Sequence, residues 1–138
     1  MKSISIPSLT KKAVKIFNRY IRLKYMDKQT RLVKCVTCNL YKSFNDIDAG
    51  HYHKSNHLHV KFNELNVHPQ CTACNHFRDG NVSAYALFLT RTYGKDILEI
   101  LEGLKNRPQM SSKEKRYLME GIIETYSKKT FDLENNKI

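Results

Sequence analysis

The residues of this chain best equipped for chemistry crowd into one stretch, from Cys35 to His76. Four cysteines form two pairs, Cys35-Val-Thr-Cys38 and Cys71-Thr-Ala-Cys74, with 32 residues between them. A two-residue gap lets both thiolates of a pair reach one tetrahedral ion, and two such knuckles complete a four-sulfur shell. A redox centre needs only one pair, and two disulfides need an oxidising compartment, for which there is no targeting evidence. Cys35, Cys38, Cys71 and Cys74 are therefore expected to hold a structural zinc.

All six histidines, His51, His53, His57, His59, His68 and His76, lie within 26 residues, across and just beyond the segment between the knuckles. Imidazole is the side chain best suited to take a proton near neutral pH or to bind a divalent metal. His53, His57 and His59 read as surface residues. A distinct arrangement is carried by Asp48-Ala49-Gly50-His51-Tyr52, then Asn66-Val67-His68-Pro69-Gln70-Cys71, then Cys74-Asn75-His76-Phe77-Arg78-Asp79-Gly80. A histidine on one strand, an asparagine at the entry to a second, and a ligand on a following helix are parts for phosphodiester hydrolysis. One imidazole deprotonates water, an amide orients the hairpin, and oxygen or nitrogen ligands hold a divalent cation against the phosphate.

The elements that must position these groups are read from periodicity. Ala13, Phe17, Tyr20 and Lys24, with Ile16 and Ile21, predict a helix over 8–28. Arg31 to Cys35 alternates into the first knuckle. Ile47 to Tyr52 and Leu58 to Phe62 read as short strands joined by a polar turn at Ser55 and Asn56. A helix is expected past Cys71, stopping at Gly80. Val82, Tyr85, Ala86, Leu89 and Tyr93 form an apolar stripe ended by Gly94, and Ile97, Leu98, Leu101 and Leu104 form another, ended by Pro108. Ser111 with Glu114 forms a capping box opening a helix through Leu118, Ile122 and Tyr126. The aromatic residues among these read as core or dimer contacts, and Glu134 to Ile138 as a frayed end. The expected fold is α+β: a basic N-terminal helix (1–30), a zinc-stapled core (31–81) and C-terminal helices (82–138), making one compact domain.

A length of 138 residues with 41% hydrophobic and 27% charged residues suits one globular domain rather than a disordered or fibrous chain. No apolar run approaches the roughly 20 residues of a membrane span, and the start lacks a signal-peptide apolar stretch, so a cytoplasmic location is expected. The net charge of +11 is lopsided, because eleven of the 24 basic residues lie between Lys2 and Lys42 against Asp27 alone. Such a field attracts polyanions, and DNA is the expected partner. Lys11, Lys15, Arg19 and Arg22, on the polar face of the first helix, are the candidate phosphate contacts.

The histidine and asparagine arrangement resembles the His-Asn-His (ββα-metal) nuclease superfamily. The longer string, from FNRYIRLKY through DAGHY and FNELNVHPQCTACN to DGN, resembles the lambdoid-phage NinG (Rap) recombination endonuclease family over roughly Ala13 to Leu104. The resemblance implies a zinc-bound ββα-metal core with His51 as general base, Asn66 as the asparagine that steadies the hairpin, and Asn75 in place of the final histidine. Phage endonuclease VII, with its zinc knuckles, is similar in using asparagine as a metal ligand there. Asp79, four residues on, would share a helical face with Asn75. Many relatives carry Asp or His where this chain has Gly50. Asp48 lies two residues earlier on the same side of a strand and is nominated as the missing carboxylate, with Asp46 or a water as competitors.

The expected activity is that of an HNH-type DNA endonuclease acting on branched recombination intermediates (Holliday junctions, D-loops). It would use Mg²⁺ or Mn²⁺ and leave 5′-phosphate and 3′-hydroxyl ends. Dimerisation and a phage origin, hence a bacterial host cell, are implied by analogy. A non-catalytic zinc module that binds nucleic acid explains the charge and the cysteines but not His51, Asn66 and Asn75. RNA as substrate remains open, since phosphate attraction does not distinguish it from DNA.

Overall fold

The computed structural model describes residues 3–54 and 56–135. Lys2, Ser55 and the terminal residues from Asn136 to Ile138, all invoked above, lie outside the described residues.

Helix α1 spans Ile6–Lys24 and opens on Ser5, whose side chain accepts from the Ser8 amide at 3.3 Å. Leu9, Ala13, Phe17 and Ile21 repeat every four residues and form its buried stripe. It ends four residues earlier than its periodicity predicts, because the chain turns back and Met26 bridges to Val33. The C-terminal helix α5 (Ser112–Glu134) starts on the expected capping box of Ser111 and Glu114. The two helices run side by side in the same direction. Arg116 donates to the Ile4 carbonyl at 2.7 Å near their starts, and Arg19 pairs with Glu134 at 2.6 Å near their ends. Between them Phe17 meets Tyr126 and Phe62 edge to face, with centroids 4.9 and 5.6 Å apart, which adds to the apolar burial. This core also takes in Met119, Ile122 and Val67.

Two small antiparallel sheets follow α1. Strands β1 (Leu32–Lys34) and β2 (Tyr41–Ser43) form a hairpin around the first knuckle. Strands β3 (Ile47–His51) and β4 (Val67–Cys71) pair in the register Ile47↔Cys71, Asp48↔Gln70 and His51↔Val67. This pairing brings the second knuckle to the base of β3 and puts Asn66 beside His51.

Two expectations fail in this region. The second strand is Val67–Cys71, and the segment read as a strand over Leu58–Phe62 is a one-turn helix, α2 (Leu58–Lys61). Its amides turn back on the His57 carbonyl, and Val60 and Phe62 are buried. The helix expected past Cys71 is only a five-residue π-helical turn, Ala73–Phe77. The turn cannot extend, because Asp79, Gly80 and Asn81 all take positive φ (47°, 83° and 47°), with Gly80 at the predicted stop.

Helices α3 (Val82–Tyr93) and α4 (Ile97–Lys105) close a second core through Tyr85, Leu89, Ile97 and Leu101. Among the described residues no helix is long and apolar enough to cross a membrane. His68, on β4, is fully buried between helix and strand. Its two ring nitrogens meet the hydroxyls of Tyr85 (2.9 Å) and Tyr93 (2.8 Å), and Tyr85 in turn donates to the Gly50 carbonyl at 2.8 Å. Because the Tyr85 proton goes to Gly50, Nδ1 of His68 is the donor and Nε2 the acceptor, as in a neutral ring.

Burial lowers the pKa of His68 from 6.5 to about 4. The unfolded chain therefore binds the extra proton first, and stability present above pH 6.5 is lost as pH falls toward 4. By pH 5 the loss should be about 2 kcal/mol. A His68→Gln chain has no imidazole at this position, so its melting profile should fall less between pH 7 and pH 5 than the parent's. Parallel profiles would contradict this account.

Candidate functional site

The four cysteine sulfurs lie within 4.8 Å of one another, with Cys38 and Cys71 3.7 Å apart. A tetrahedron of sulfurs with arms of about 2.3 Å has edges of about 3.8 Å, so the cluster has the dimensions of a single-ion site. Cys35, Cys71 and Cys74 are buried. Donors point at the sulfurs: Asn81 Nδ2 is 3.6 Å and Arg78 Nη1 3.8 Å from Cys74 Sγ. Donors of this kind stabilise thiolate, the form that binds metal. The donor chemistry fits zinc.

His51 sits at the end of β3 with Nε2 3.0 Å from the Lys61 carbonyl. A carbonyl only accepts, so Nε2 carries the proton and Nδ1 keeps the lone pair. Burial lowers the pKa of this ring, helped by the charges of Lys61 and Lys54 and opposed by the backbone carbonyls of Lys61 and Ala49. The result is a neutral imidazole able to accept a proton. Asn66 fixes the loop that supplies this carbonyl. Its Oδ1 accepts from the His53 amide (2.9 Å), and its Nδ2 donates to the carbonyls of Val60 (3.0 Å) and His53 (3.3 Å). Asn66 is fully buried and spends its amide bridging the two sides of the β3–β4 connection.

An open cavity of about 400 Å³ joins His51 to Asn75, with Val14, Lys54, Lys61 and His76 also on its walls. Asp48 adjoins it, its Oδ2 lying 3.3 Å from Asn75 Nδ2 and 3.4 Å from His76 Nε2. The Asp48 carboxylate and the His76 imidazole therefore converge with the Asn75 amide, whose N–H donates to Asp48; turned about to present Oδ1, that amide could join them in holding one divalent cation. Of the competing carboxylates, Asp46 lies exposed in the short turn before β3.

Asp79 does not join this group. The turn ends at Phe77, so the helical spacing that would align Asp79 with Asn75 does not exist, and Asp79 lies exposed beyond it. His76 takes the position near Asp48 instead. Sequence reasoning passed over it, although its place next to Asn75 was a usable signal. Gly50 is not a vacated ligand position either: a Cβ there would collide with the Gln70 side chain, which fills the space from β4.

The other histidines are structural. His57 is buried with Nε2 2.6 Å from the Arg107 carbonyl, and His53 Nε2 lies 3.5 Å from Glu102. His57 ties the β3–β4 connection to the end of α4, and the largely buried His53 ring packs beside α4, so the surface reading is wrong for them. His59 is half-buried against the His57 ring.

On α1 the four predicted phosphate contacts divide. Lys11 and Lys15 are exposed. Arg19 pairs with Glu134, and Arg22 is half-buried, donating to the Phe44 carbonyl at 3.3 Å. Val14 lies on the cavity wall, so α1 runs along the mouth of the site.

A protein-family profile described as "Bacteriophage Lambda NinG protein" matches residues 4–136. The chain is 30% identical over 128 residues to "Protein ninG" of Escherichia phage lambda and to that of Escherichia phage 933W, and 27% identical to that of Salmonella phage P22. Each alignment covers 92% of this chain but only 58%, 59% and 58% of the respective relative, so the chain spans less than two thirds of these proteins. No solved structure matches it.

If the four sulfurs hold zinc, elemental analysis should find about one equivalent per chain, and Cys71→Ser should lose it together with cooperative melting. Metal binding at such a site is coupled to folding and is worth on the order of 10 kcal/mol. A zinc-free Cys71→Ser chain that melts with the parent would rule out a structural ion.

Proposed function

The chain belongs to the NinG family, and from that premise and the geometry around His51 we propose a metal-dependent DNA endonuclease of the His-Asn-His type. Its substrates would be branched recombination intermediates such as four-way junctions and displacement loops. The observation that carries this reading is the shared cavity. A neutral imidazole and the amide of Asn75 face the same space, with Asp48 and His76 in contact range of that amide. A non-catalytic zinc module requires no such juxtaposition.

His51 accepts the proton of the attacking water at Nδ1 while its Nε2–H stays on the Lys61 carbonyl. Asn66 keeps that carbonyl in place by holding the neighbouring Val60 carbonyl. Lys54 and Lys61, on the cavity wall, draw the phosphate in, and Lys54 also braces the turn by donating to the Asn75 carbonyl at 2.7 Å. Asp48, Asn75 and His76 would hold the cation. The carboxylate and amide oxygens suit Mg²⁺ or Mn²⁺, and the nitrogen of His76 is the one softer donor. The chemistry that such an ion supplies is charge neutralisation at the phosphate and at the leaving 3′-oxygen. The products would be 5′-phosphate and 3′-hydroxyl ends. Lys11 and Lys15 extend the electrostatic contact along the DNA backbone. Two such chains would hold two arms of a branch at once, so a homodimer is the functional form we propose.

The test is a cleavage panel of four-way junctions, displacement loops and linear duplexes with Mg²⁺, Mn²⁺ or EDTA. The parent should cut branched DNA only with a divalent ion, and His51→Ala should cut about 10²–10⁴-fold more slowly with DNA affinity nearly unchanged. A folded parent that cuts nothing in the panel would refute the activity. Equal loss of cutting and binding in a folded His51→Ala chain would refute the role of His51.

A further inference from the structure

Three guanidinium groups surround one phenylalanine ring beside the candidate cation site. The Cζ atoms of Arg22, Arg31 and Arg19 lie 4.8, 5.3 and 5.6 Å from the centroid of the Phe44 ring. They come from two places in the chain: Arg19 and Arg22 from one face of α1, and Arg31 from the turn before β1. The cluster is held in shape by backbone as well as ring. Arg22 donates to the Phe44 carbonyl, the Phe44 amide donates to the Arg31 carbonyl at 3.0 Å, and Arg31 itself takes φ 59°. Phe44 is buried, so its position is set by the core.

This arrangement carries an electrostatic cost. Each cation over an aromatic face gains a little attraction from the ring, while three like charges around one ring repel one another. Among the described residues, the ion pair made by these arginines is Arg19 with Glu134, and both of its side chains are nearly half exposed (46% and 41%). Pairs so exposed contribute little. Burial and the charge of Arg19 oppose the charge on Arg22, and Asp48 favours it. Asp48 is also needed at the candidate cation site. Next to the cluster an open cavity of about 400 Å³ has Arg19, Lys28, Arg31 and Glu134 at its polar edge and Leu23, Met26 and Leu133 on its apolar wall. A guanidinium fork matches the oxygens of a phosphate, which can take two parallel N–H bonds from it.

We infer that Arg19, Arg22 and Arg31, gathered on Phe44, form a seat for a backbone phosphate of the nucleic acid further along the strand from the one at the candidate cation site. The inference rests on the endonuclease reading for its choice of ligand. It follows from the path of α1, which passes the cavity of His51 at Val14 and the Phe44 cluster at Arg22. About 12 Å of helix axis separates these two points, a span that the backbone of one strand can bridge. Glu134 occupies part of the seat in the unliganded chain, and the phosphate displaces it from Arg19.

The test uses the whole chain carrying His51→Ala, in EDTA, with a fluorescein-labelled DNA duplex followed by anisotropy across a salt series. Arg31→Gln should weaken binding about tenfold and flatten the plot of log affinity against log salt by about 0.9 for one lost contact. Arg31→Lys should keep most of that slope while losing part of the affinity, since it retains charge but not the planar fork. Glu134→Gln should tighten binding about threefold by removing the competing anion. An Arg31→Gln chain with unchanged affinity and slope would overturn the inference, and a lowered melting temperature alone would mark the cluster as packing only. Cleavage is scored separately with His51 intact. A chain that never cuts DNA but loses binding with Arg31→Gln fails the endonuclease reading and keeps the phosphate seat, whereas one that cuts but ignores Arg31→Gln does the reverse.

Discussion

The convergence of four sulfurs on one point is the constraint from which the rest of the structure follows. Cys35 and Cys38 leave the β1–β2 hairpin, whereas Cys71 and Cys74 leave the end of β4. Drawing them within 4.8 Å pins the hairpin to the base of the β3–β4 sheet. Neither two-stranded sheet has the size to stand alone. The knuckle also bonds directly to β4, through the Val36 amide and the Pro69 carbonyl at 3.0 Å. The tight turn after Cys71 is part of the same demand. Cys74 must reach back to the other sulfurs while Arg78 and Asn81 donate to it, and a π-helical turn followed by three residues of positive φ meets that requirement where a regular helix would carry the chain away.

From that fixed base the candidate site is assembled by short relays. The register of β3 against β4 sets His51 next to Asn66, and the buried amide of Asn66 shapes the loop whose Lys61 carbonyl fixes the tautomer of His51. On the opposite side Tyr85 reaches from α3 to the Gly50 carbonyl, and His68 links Tyr85 to Tyr93. The strand bearing His51 is thus gripped on both sides by groups that do not touch the cavity. The turn bearing Asn75 and His76 descends from the sulfur cluster, so whatever holds the sulfurs together also places the second half of the site. Helix α1, locked beside α5 by Phe17, Tyr126 and the end contacts, then lays basic side chains past the mouth.

Local signals were legible wherever a short stretch of chain decides its own conformation. The capping box at Ser111 and Glu114, the stop at Gly80 and the paired cysteines act within a few residues and are seen as read. The apolar stripes are seen in part: α1 buries Leu9 and Ile21 rather than Tyr20 and Lys24, and α3 leaves Val82 and Tyr93 exposed. The misreadings share one cause. His57 and His53 looked like surface polar residues, yet they are claimed by Arg107 and Glu102 some fifty residues on. Leu58–Phe62 alternates like a strand, but Leu58 and Phe62 are drawn into the core shared with α1 and α5. Asp79 was aligned with Asn75 on a helix that the sulfur geometry does not permit.

The amino-acid sequence by itself determined the zinc-type knuckles, the four long helices α1 and α3–α5, the concentration of basic charge on α1 and the family, because each depends on spacing along the chain or on the residues alone. Tertiary structure decided which groups share a cavity. It set Asp48 and His76 beside Asn75, filled the space over Gly50 with Gln70, and gathered three arginines on Phe44. Those meetings join residues far apart in the chain, and strand register and helix packing set their distances, which no local periodicity encodes.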